Sequence, residues 1–552
     1  MDTWFVSRTA LLAAASISVP ILAACLDHPL KPVEYENVQT FSSTVDLAIN
    51  RDVDIIFMID DSGSMAEEQV ALARNFERFI GVLEADDVKA NYRIAITTSD
   101  NGGPGCYAKP SEGGAFVASS CRARPSHFQF RHIDAFDVAC ASICDHDRIE
   151  LQPTTTERDS TPRPRPWIEN IEGRSNLPEG ITTTEALQCF GPMGIAGCGY
   201  EEQLESVYKA LLRTDFADEP EYGFLRDDAL LAIVLVSDEA DGSFNRPVYG
   251  NLGPYDPEGS RAFWSDPSES YPTSAVSWNA GVECSPMGGD GLPWDACYPQ
   301  HYDIDGNVVP EAEAAKHAIL HPVSRYIDLL ERIDQAKRSP LRPDQAVLVS
   351  GILGVPVDYH RGAELIYRDD PFDLEFMHDF GIAPGCVSRL EVEGLDEEGK
   401  AVPPVRQRAF VEHFQVGDDP NLFSICEDDW SVALEAIADE IRKQIRPGCM
   451  PECVADMDPS TDELDFSCVL DQRTRDGQTS SIPECMAGGV LPDGAEVCFV
   501  VATGETRHED CRVPGQNVEF RLVRAGGSSG PAGSVVSATC ELSGRPMVDC
   551  AV

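Results

Sequence analysis

The chain is expected to be an α/β protein built on a doubly wound, mostly parallel sheet, with long disulfide-pinned insertions and a small Cys-rich β-type C-terminal module. Three observations predict this. Val53–Ile59 and Ala229–Val236 are apolar runs rich in Ile, Val and Leu, which read as strands buried on both faces. Such runs alternate along the chain with stretches of helical periodicity, an order that argues for a parallel sheet covered by helices on both faces. From Cys449 on, eight cysteines lie among Gly/Pro turns, the composition of a disulfide-stapled β module. The expected boundaries are 1–24, 25–47, 48–447 with insertions near 100–192, 242–309 and 357–423, and 448–552.

Residues 1–24 are an address rather than a fold element. Arg8 precedes an apolar run, Ala10–Ala24, that is short for a membrane span and rich in Ala and Ser. It ends in Leu22-Ala23-Ala24-Cys25, which resembles the bacterial lipoprotein signal. That resemblance implies cleavage before Cys25, lipidation of its thiol and, with Leu26 rather than Asp following, an outer-membrane destination. Residues 25–47 are then a tether between lipid and body.

In the body, Glu67–Glu84 is expected as a helix, with Leu72, Phe76, Phe79, Ile80 and Leu83 on one stripe. Tyr92–Thr98 alternates and reads as the next strand. Residues 100–192 are irregular and rich in Pro, Gly, Arg and Cys, hence an insertion. Gly197-Cys198-Gly199-Tyr200-Glu201 opens a second helix with Leu204, Val207, Tyr208, Leu211 and Leu212 buried. Glu311–Gln335 is helical, interrupted at Pro322, and Ala346–Leu353 is a third buried strand. The last helix of this region starts near Asp428 or Asp429 and stops at Pro447-Gly448. In the tail, Val497–Ala502, Val518–Val523 and Val535–Ala538 are candidate strands.

The chemistry sits where the apolar runs end. The first gives way to Asp60-Asp61-Ser62-Gly63-Ser64, with Asp60, Ser62 and Ser64 at alternate positions. The second gives way to Ser237-Asp238-Glu239-Ala240-Asp241. Open α/β sheets bind ligands at the carboxyl ends of their strands, and neighbouring strand ends about 5 Å apart can converge on one ion. Carboxylate plus hydroxyl is a hard-oxygen set suited to Mg2+ or Ca2+ rather than Zn2+. Asp60-x-Ser62-x-Ser64 after a buried strand resembles the metal-ion-dependent adhesion site (MIDAS) of the von Willebrand factor A (VWA) family, whose fold is a Rossmann-like doubly wound sheet. The resemblance implies that Asp60, Ser62 and Ser64 hold one divalent ion, with Asp238 as the third-loop acid. It implies a protein partner that offers an Asp or Glu carboxylate. The family's second loop supplies a Thr just before a helix. Here Gly194-Ile195-Ala196-Gly197 has no hydroxyl, and Thr182, Thr183 and Thr184 lie upstream. The string before the second helix, the Ser-Asp-Glu-Ala-Asp loop and Ser424-Ile425-Cys426 also resemble lipid-anchored VWA proteins of myxobacteria-like bacteria.

Composition narrows the partners. Of 19 cysteines, Cys25 is assigned to lipid; the remaining 18, ten up to Cys426 and eight beyond, suit disulfides outside the cytoplasm. Short spacings suggest Cys189 with Cys198 and Cys284 with Cys297. A net charge of −50 repels phosphate and argues against nucleic acid. His317 and His321 are spaced i, i+4 but lack the Glu of a zinc-protease helix, and Asp303-Ile304-Asp305-Gly306-Asn307 reads as a turn more than a calcium loop. With no G-x-S-x-G either, neither an enzyme nor a small-molecule substrate is expected. The expectation is a non-enzymatic envelope lipoprotein that binds a protein ligand through a divalent ion. The alternative is a structural scaffold of an envelope assembly that works through its insertions, with a degenerate metal site.

Overall fold

The computed structural model describes residues 41–550 apart from 48–50, 86–87, 104–105, 107–108, 228, 286–291, 338–345, 389–398, 445–447, 459, 462–463, 474–477, 508–510 and 525–534. Cys25 and the signal segment lie outside the described residues.

The protein is a mixed α/β structure with a seven-stranded mixed sheet at its centre. The strands taken in chain order are β2 (Asp52–Ile59), β3 (Asn91–Thr98), β4 (Ile168–Ile171), β5 (Arg174–Ser175), β6 (Leu230–Val236), β7 (Val347–Leu353) and β8 (Leu422–Ser424), β1 being reserved for Phe41–Leu47. Their spatial order is β8-β7-β6-β2-β3-β4-β5. The five strands from β8 to β3 are parallel, and β4 and β5 add an antiparallel hairpin at one edge.

Strand alternation divides the apolar runs between two cores, because successive side chains point to opposite faces. Val53, Ile55, Phe57 and Ile59 of β2, and Leu230, Ala232, Val234 and Val236 of β6, enter one core. Helices α1 (Ala66–Leu83), α2 (Thr183–Phe190) and α6 (Ser431–Gln444) cover it, with Phe57 edge-on to Phe76 and Phe79 at 5.5 and 5.3 Å. Ile56, Met58, Leu231, Ile233 and Leu235 enter the other, under α3 (Gln203–Arg213), α4 (Ser324–Lys337) and α5 (Val405–His413). At the amino end of the sheet a buried Arg226 donates to Asp54 at 2.7 and 2.8 Å and to the carbonyls of Val53 and Asn91, which satisfies the fully buried acid of β2.

The insertions are more structured than their irregular composition suggests. The first supplies the edge hairpin β4–β5 and α2, which opens with a reciprocal cap between Thr182 and Glu185. Strands of four and two residues are too short to leave a period. The second builds a satellite core around Phe244, Tyr255, Trp264 and Val276. The third contributes α5 and the edge strand β8. Disulfides join Cys106 to Cys198, Cys121 to Cys140, Cys144 to Cys189, Cys284 to Cys297 and Cys386 to Cys426. The expected Cys189–Cys198 pair is therefore corrected: short spacing was a poor guide because each half is met by a more distant cysteine of the first insertion. His317 ends its helix largely exposed while His321 is buried, so the two do not share a site. Asp303 accepts bonds from Asp305 and Asn307 and closes a turn.

From Gly448 on, two small antiparallel sheets share an apolar core that includes Met450, Leu470, Phe499, Phe520 and Ala538. Four disulfides lie within it, Cys449–Cys511, Cys453–Cys550, Cys468–Cys540 and Cys485–Cys498. β1 pairs antiparallel with Val535–Leu542 in one of these sheets. The expected tether over 25–47 is corrected at its end: residues 41–47 are sheet, because their alternating Ser/Thr/Val pattern completes an edge. Among the described residues no helix is long and apolar enough to cross a membrane.

Candidate functional site

The parallel register brings the carboxyl ends of β2, β3 and β6 to one rim, since Ile59 lies opposite both Thr98 and Val236. The loops that follow them are joined by backbone: Asp60 N donates to Val236 O at 2.9 Å, Gly197 N to Asp61 O at 2.8 Å, and Gly242 N to Glu201 O at 2.8 Å. Gln69, in the first turns of α1, clamps two loops at once. Its amide nitrogen donates to Asp60 O and Gly194 O, and its oxygen accepts from the N–H groups of Met193 and Gly194. Asp241 accepts from Leu204 N at 3.1 Å, at the start of α3, and from Arg406 of α5 at 3.0 Å, which holds the third loop against the sheet.

Asp60 is fully buried. Its Oδ1 accepts from Ser62 N at 2.9 Å and Ser99 Oγ at 3.0 Å, and its Oδ2 from Ser237 Oγ at 2.5 Å. Burial raises this carboxyl and the three donors oppose the rise. Ser62 Oγ and Ser64 Oγ are 3.2 Å apart, Ser62 buried and Ser64 exposed. Asp238 is 4% exposed, and its Oδ1 has no hydrogen-bond partner. Burial first, then the charges of Asp60, Glu68 and Glu239, hold Asp238 well above the ordinary carboxylate range, with the Ser64 hydroxyl opposing. The four residues singled out in the sequence thus lie together at one end of the sheet.

The structure adds residues that the motif did not reveal. Ser99 and Ser237 orient Asp60. Three further buried acids surround it: Glu68 from α1, Glu201 from the second loop and Glu239 beside Asp238. Burial pushes Glu68 up to about 8 and Glu239 to about 7, and Glu201 well above its usual value. Among the described residues, no Lys or Arg pairs with any of these five acids, Glu68 Oε2 lacks a partner, and the Glu201 carboxyl is met by that of Glu239. Glu201 and Glu239 stood in view in the strings before the second helix and after the second apolar run; only topology brings them to Asp60.

The second loop offers no hydroxyl. Gly194 has φ +105° and a Cβ there would meet His127 O at 2.3 Å, while a Cβ on Gly197 would meet Asp61 Oδ1 at 2.3 Å. The loop passes too close to its neighbours for side chains at these positions. Thr182 instead caps α2, and Thr183, its first residue, meets Tyr92 OH at 2.7 Å near the opposite end of the sheet. Asp61 turns away from Asp60. With Asp100 and Glu112 it forms a group whose ligand atoms lie within 4.8 Å of one another. Lys109 Nζ occupies that group, 2.8 Å from Asp61, 3.5 Å from Asp100 and 2.5 Å from Glu112, so a cation of the chain already stands among the three acids.

Buried oxygen ligands without a fixed cation fit a hard divalent ion. The donor set of Asp60, Ser62, Ser64 and Asp238 matches that chemistry, and the orphaned Asp238 oxygen is the observation that favours it.

No protein-family model matches the chain, and no curated protein matches it. Two solved structures of the pilus adhesin SpaC from Lactobacillus rhamnosus GG, one in an open conformation and one in a second form, are similar at 10% and 9% identity, each with a TM-score of 0.27. Each alignment covers 89% of this chain and 39% of the adhesin, so the chain spans about two fifths of its length.

Proposed function

We propose that the chain is a non-enzymatic, lipid-anchored bacterial envelope protein. Its doubly wound domain is of the VWA type and binds a protein ligand through one Mg2+ or Ca2+ at a MIDAS-type site of Asp60, Ser62, Ser64 and Asp238. The reading rests on the buried, partnerless Asp238 Oδ1 on the rim that also carries Asp60 and the two serines. A buried carboxylate without a partner is strongly unfavourable, and a cation relieves it. The ion supplies an electrophilic position for an Asp or Glu carboxylate of the partner. Ser62 N, Ser99 and Ser237 hold Asp60 in one orientation. Ser64, exposed, marks the side open to solvent. Cys25 carries the lipid of an outer-membrane lipoprotein, and the Cys-rich tail, whose sheet β1 completes, is a small β module.

The test is capture of envelope proteins on the immobilised mature chain with Mg2+ or Ca2+, with EDTA, and with Asp60→Ala. Capture that needs the ion and is lost in the variant supports the reading; capture unchanged in EDTA overturns it. A second reading, an envelope scaffold that works through its insertions, is favoured by the second loop, where the backbone of Gly197 on Asp61 takes the place of a ligand hydroxyl.

A further inference from the structure

We propose that Arg131 selects the partner: it binds a second carboxylate of the ligand segment whose first carboxylate meets the ion. The inference rests on the proposed function and names the ligand's chemistry, an acidic segment with two neighbouring carboxylates.

Arg131 is carried by the first insertion. Gln129–Phe130 and Ile133–Asp134 pair as a short hairpin, closed by the two residues Arg131 and His132. This hairpin is fixed to both loops of the site. Arg124 donates to the carbonyls of Pro192 and Met193. His127 O accepts from Ile195 N at 2.7 Å and from Ala196 N at 3.0 Å, so the segment leading into the hairpin is stitched to the second loop. The Phe130 ring lies against Gly63, between Ser62 and Ser64, where an added Cβ would meet it at 2.6 Å. The Arg131 guanidinium carbon stands 5.1 Å from the centre of the same ring. One ring thus touches both the metal loop and the cation.

Arg131 is exposed, and among the described residues no carboxylate pairs with it. Asp134, the acid of the hairpin, is taken by the Gln129 amide and by Phe136 N, each at 3.1 Å. Arg131 also has φ +52° at the first position of a two-residue turn, where glycine is the usual occupant. Strain of this kind beside a binding site argues that the side chain is needed there. Charge supplies the need. With 93 acids against 43 Lys and Arg, the chain repels an acidic partner at a distance. An exposed guanidinium beside the metal loop offers paired donors that match a carboxylate. A ligand with one carboxylate meets the ion alone; a ligand with two meets the ion and Arg131.

Fluorescence anisotropy on the mature chain in Mg2+ tests this, with labelled glycine peptides that hold one Glu, or two Glu spaced one or two residues apart. The wild type is expected to bind a two-Glu peptide about fivefold more tightly than the one-Glu peptide, the size of a good exposed ion pair. Arg131→Gly relieves the turn, so it should fold as well as the wild type and bind both peptides alike. Arg131→Lys should keep part of the preference. A preference unchanged in Arg131→Gly, or absent from a wild type that binds the one-Glu peptide only with Mg2+, overturns the inference and leaves the proposed function standing. Absence of binding by every peptide overturns it too, and binding unchanged in EDTA takes the proposed function with it.

Discussion

The Ser237 hydroxyl donates to Oδ2 of Asp60 at 2.5 Å, so the residue before Asp238 orients the acid of the first loop. Ser237 Oγ in turn accepts from the Gln203 amide at 2.8 Å, which links α3 to both loops. Ser237→Ala leaves a buried carboxylate oxygen without its donor. The expected loss is about 1–3 kcal/mol of stability, read as a lower urea midpoint, with weaker divalent binding measured on the same sample.

An ion that binds only the folded chain must raise its unfolding midpoint. At a hundred times its dissociation constant the gain is about 2.7 kcal/mol. Thermal scans with Mg2+ or Ca2+ against EDTA should show the rise in the wild type and none in Asp60→Ala. No rise in the wild type would favour the scaffold reading.

Gly197→Thr would place a hydroxyl in the second loop, where the VWA resemblance leads one to expect it. A Cβ at this position meets Asp61 Oδ1 at 2.3 Å and Asp61 O at 2.6 Å. The variant should therefore lose about 1–3 kcal/mol by overpacking and gain no ion affinity; tighter Ca2+ binding in a titration would contradict the geometry.

Arg226→Met strands Asp54, which is 0% exposed, inside the sheet. Removing one partner of a buried pair costs about 3–5 kcal/mol. Denaturant unfolding should register that loss, and adding Asp54→Asn should return part of it.

His321 is buried, with Glu205 4.0 Å from Nε2 and the ring of Tyr326 packed against it. Burial, with Arg325 and Arg406 adding, pushes its imidazole down to about 3. The unfolded chain then binds this proton more readily than the folded one. The contribution is complete above the unfolded value of about 6.5 and is lost as pH falls from there towards about 3. His321→Gln should flatten the fall of stability between pH 6.5 and 4, measured by urea midpoints.

Strands β2 and β6 and helices α1 and α3 were legible because burial imposes a period or a continuous apolar run. The edge hairpin β4–β5 and the strand β8 were not, since two to four residues at a sheet edge carry little pattern. The same holds for β1, whose role depends on a partner strand about 490 residues away. Cysteine parity pointed to disulfides, but spacing misled at Cys189, whose partner Cys144 lies in the first insertion.

By itself the sequence determined the local elements and the oxygen-rich loops after two buried strands, because hydrophobic periodicity and residue chemistry are properties of neighbours along the chain. Only the tertiary structure decided that the loops around Asp60 and Asp238 share a rim, that Glu68, Glu201 and Glu239 gather there with no Lys or Arg beside them among the described residues, and that Lys109 meets Asp61 instead. Those outcomes follow from strand order and register, which place residues distant in sequence within ångströms and fix which buried charges find partners.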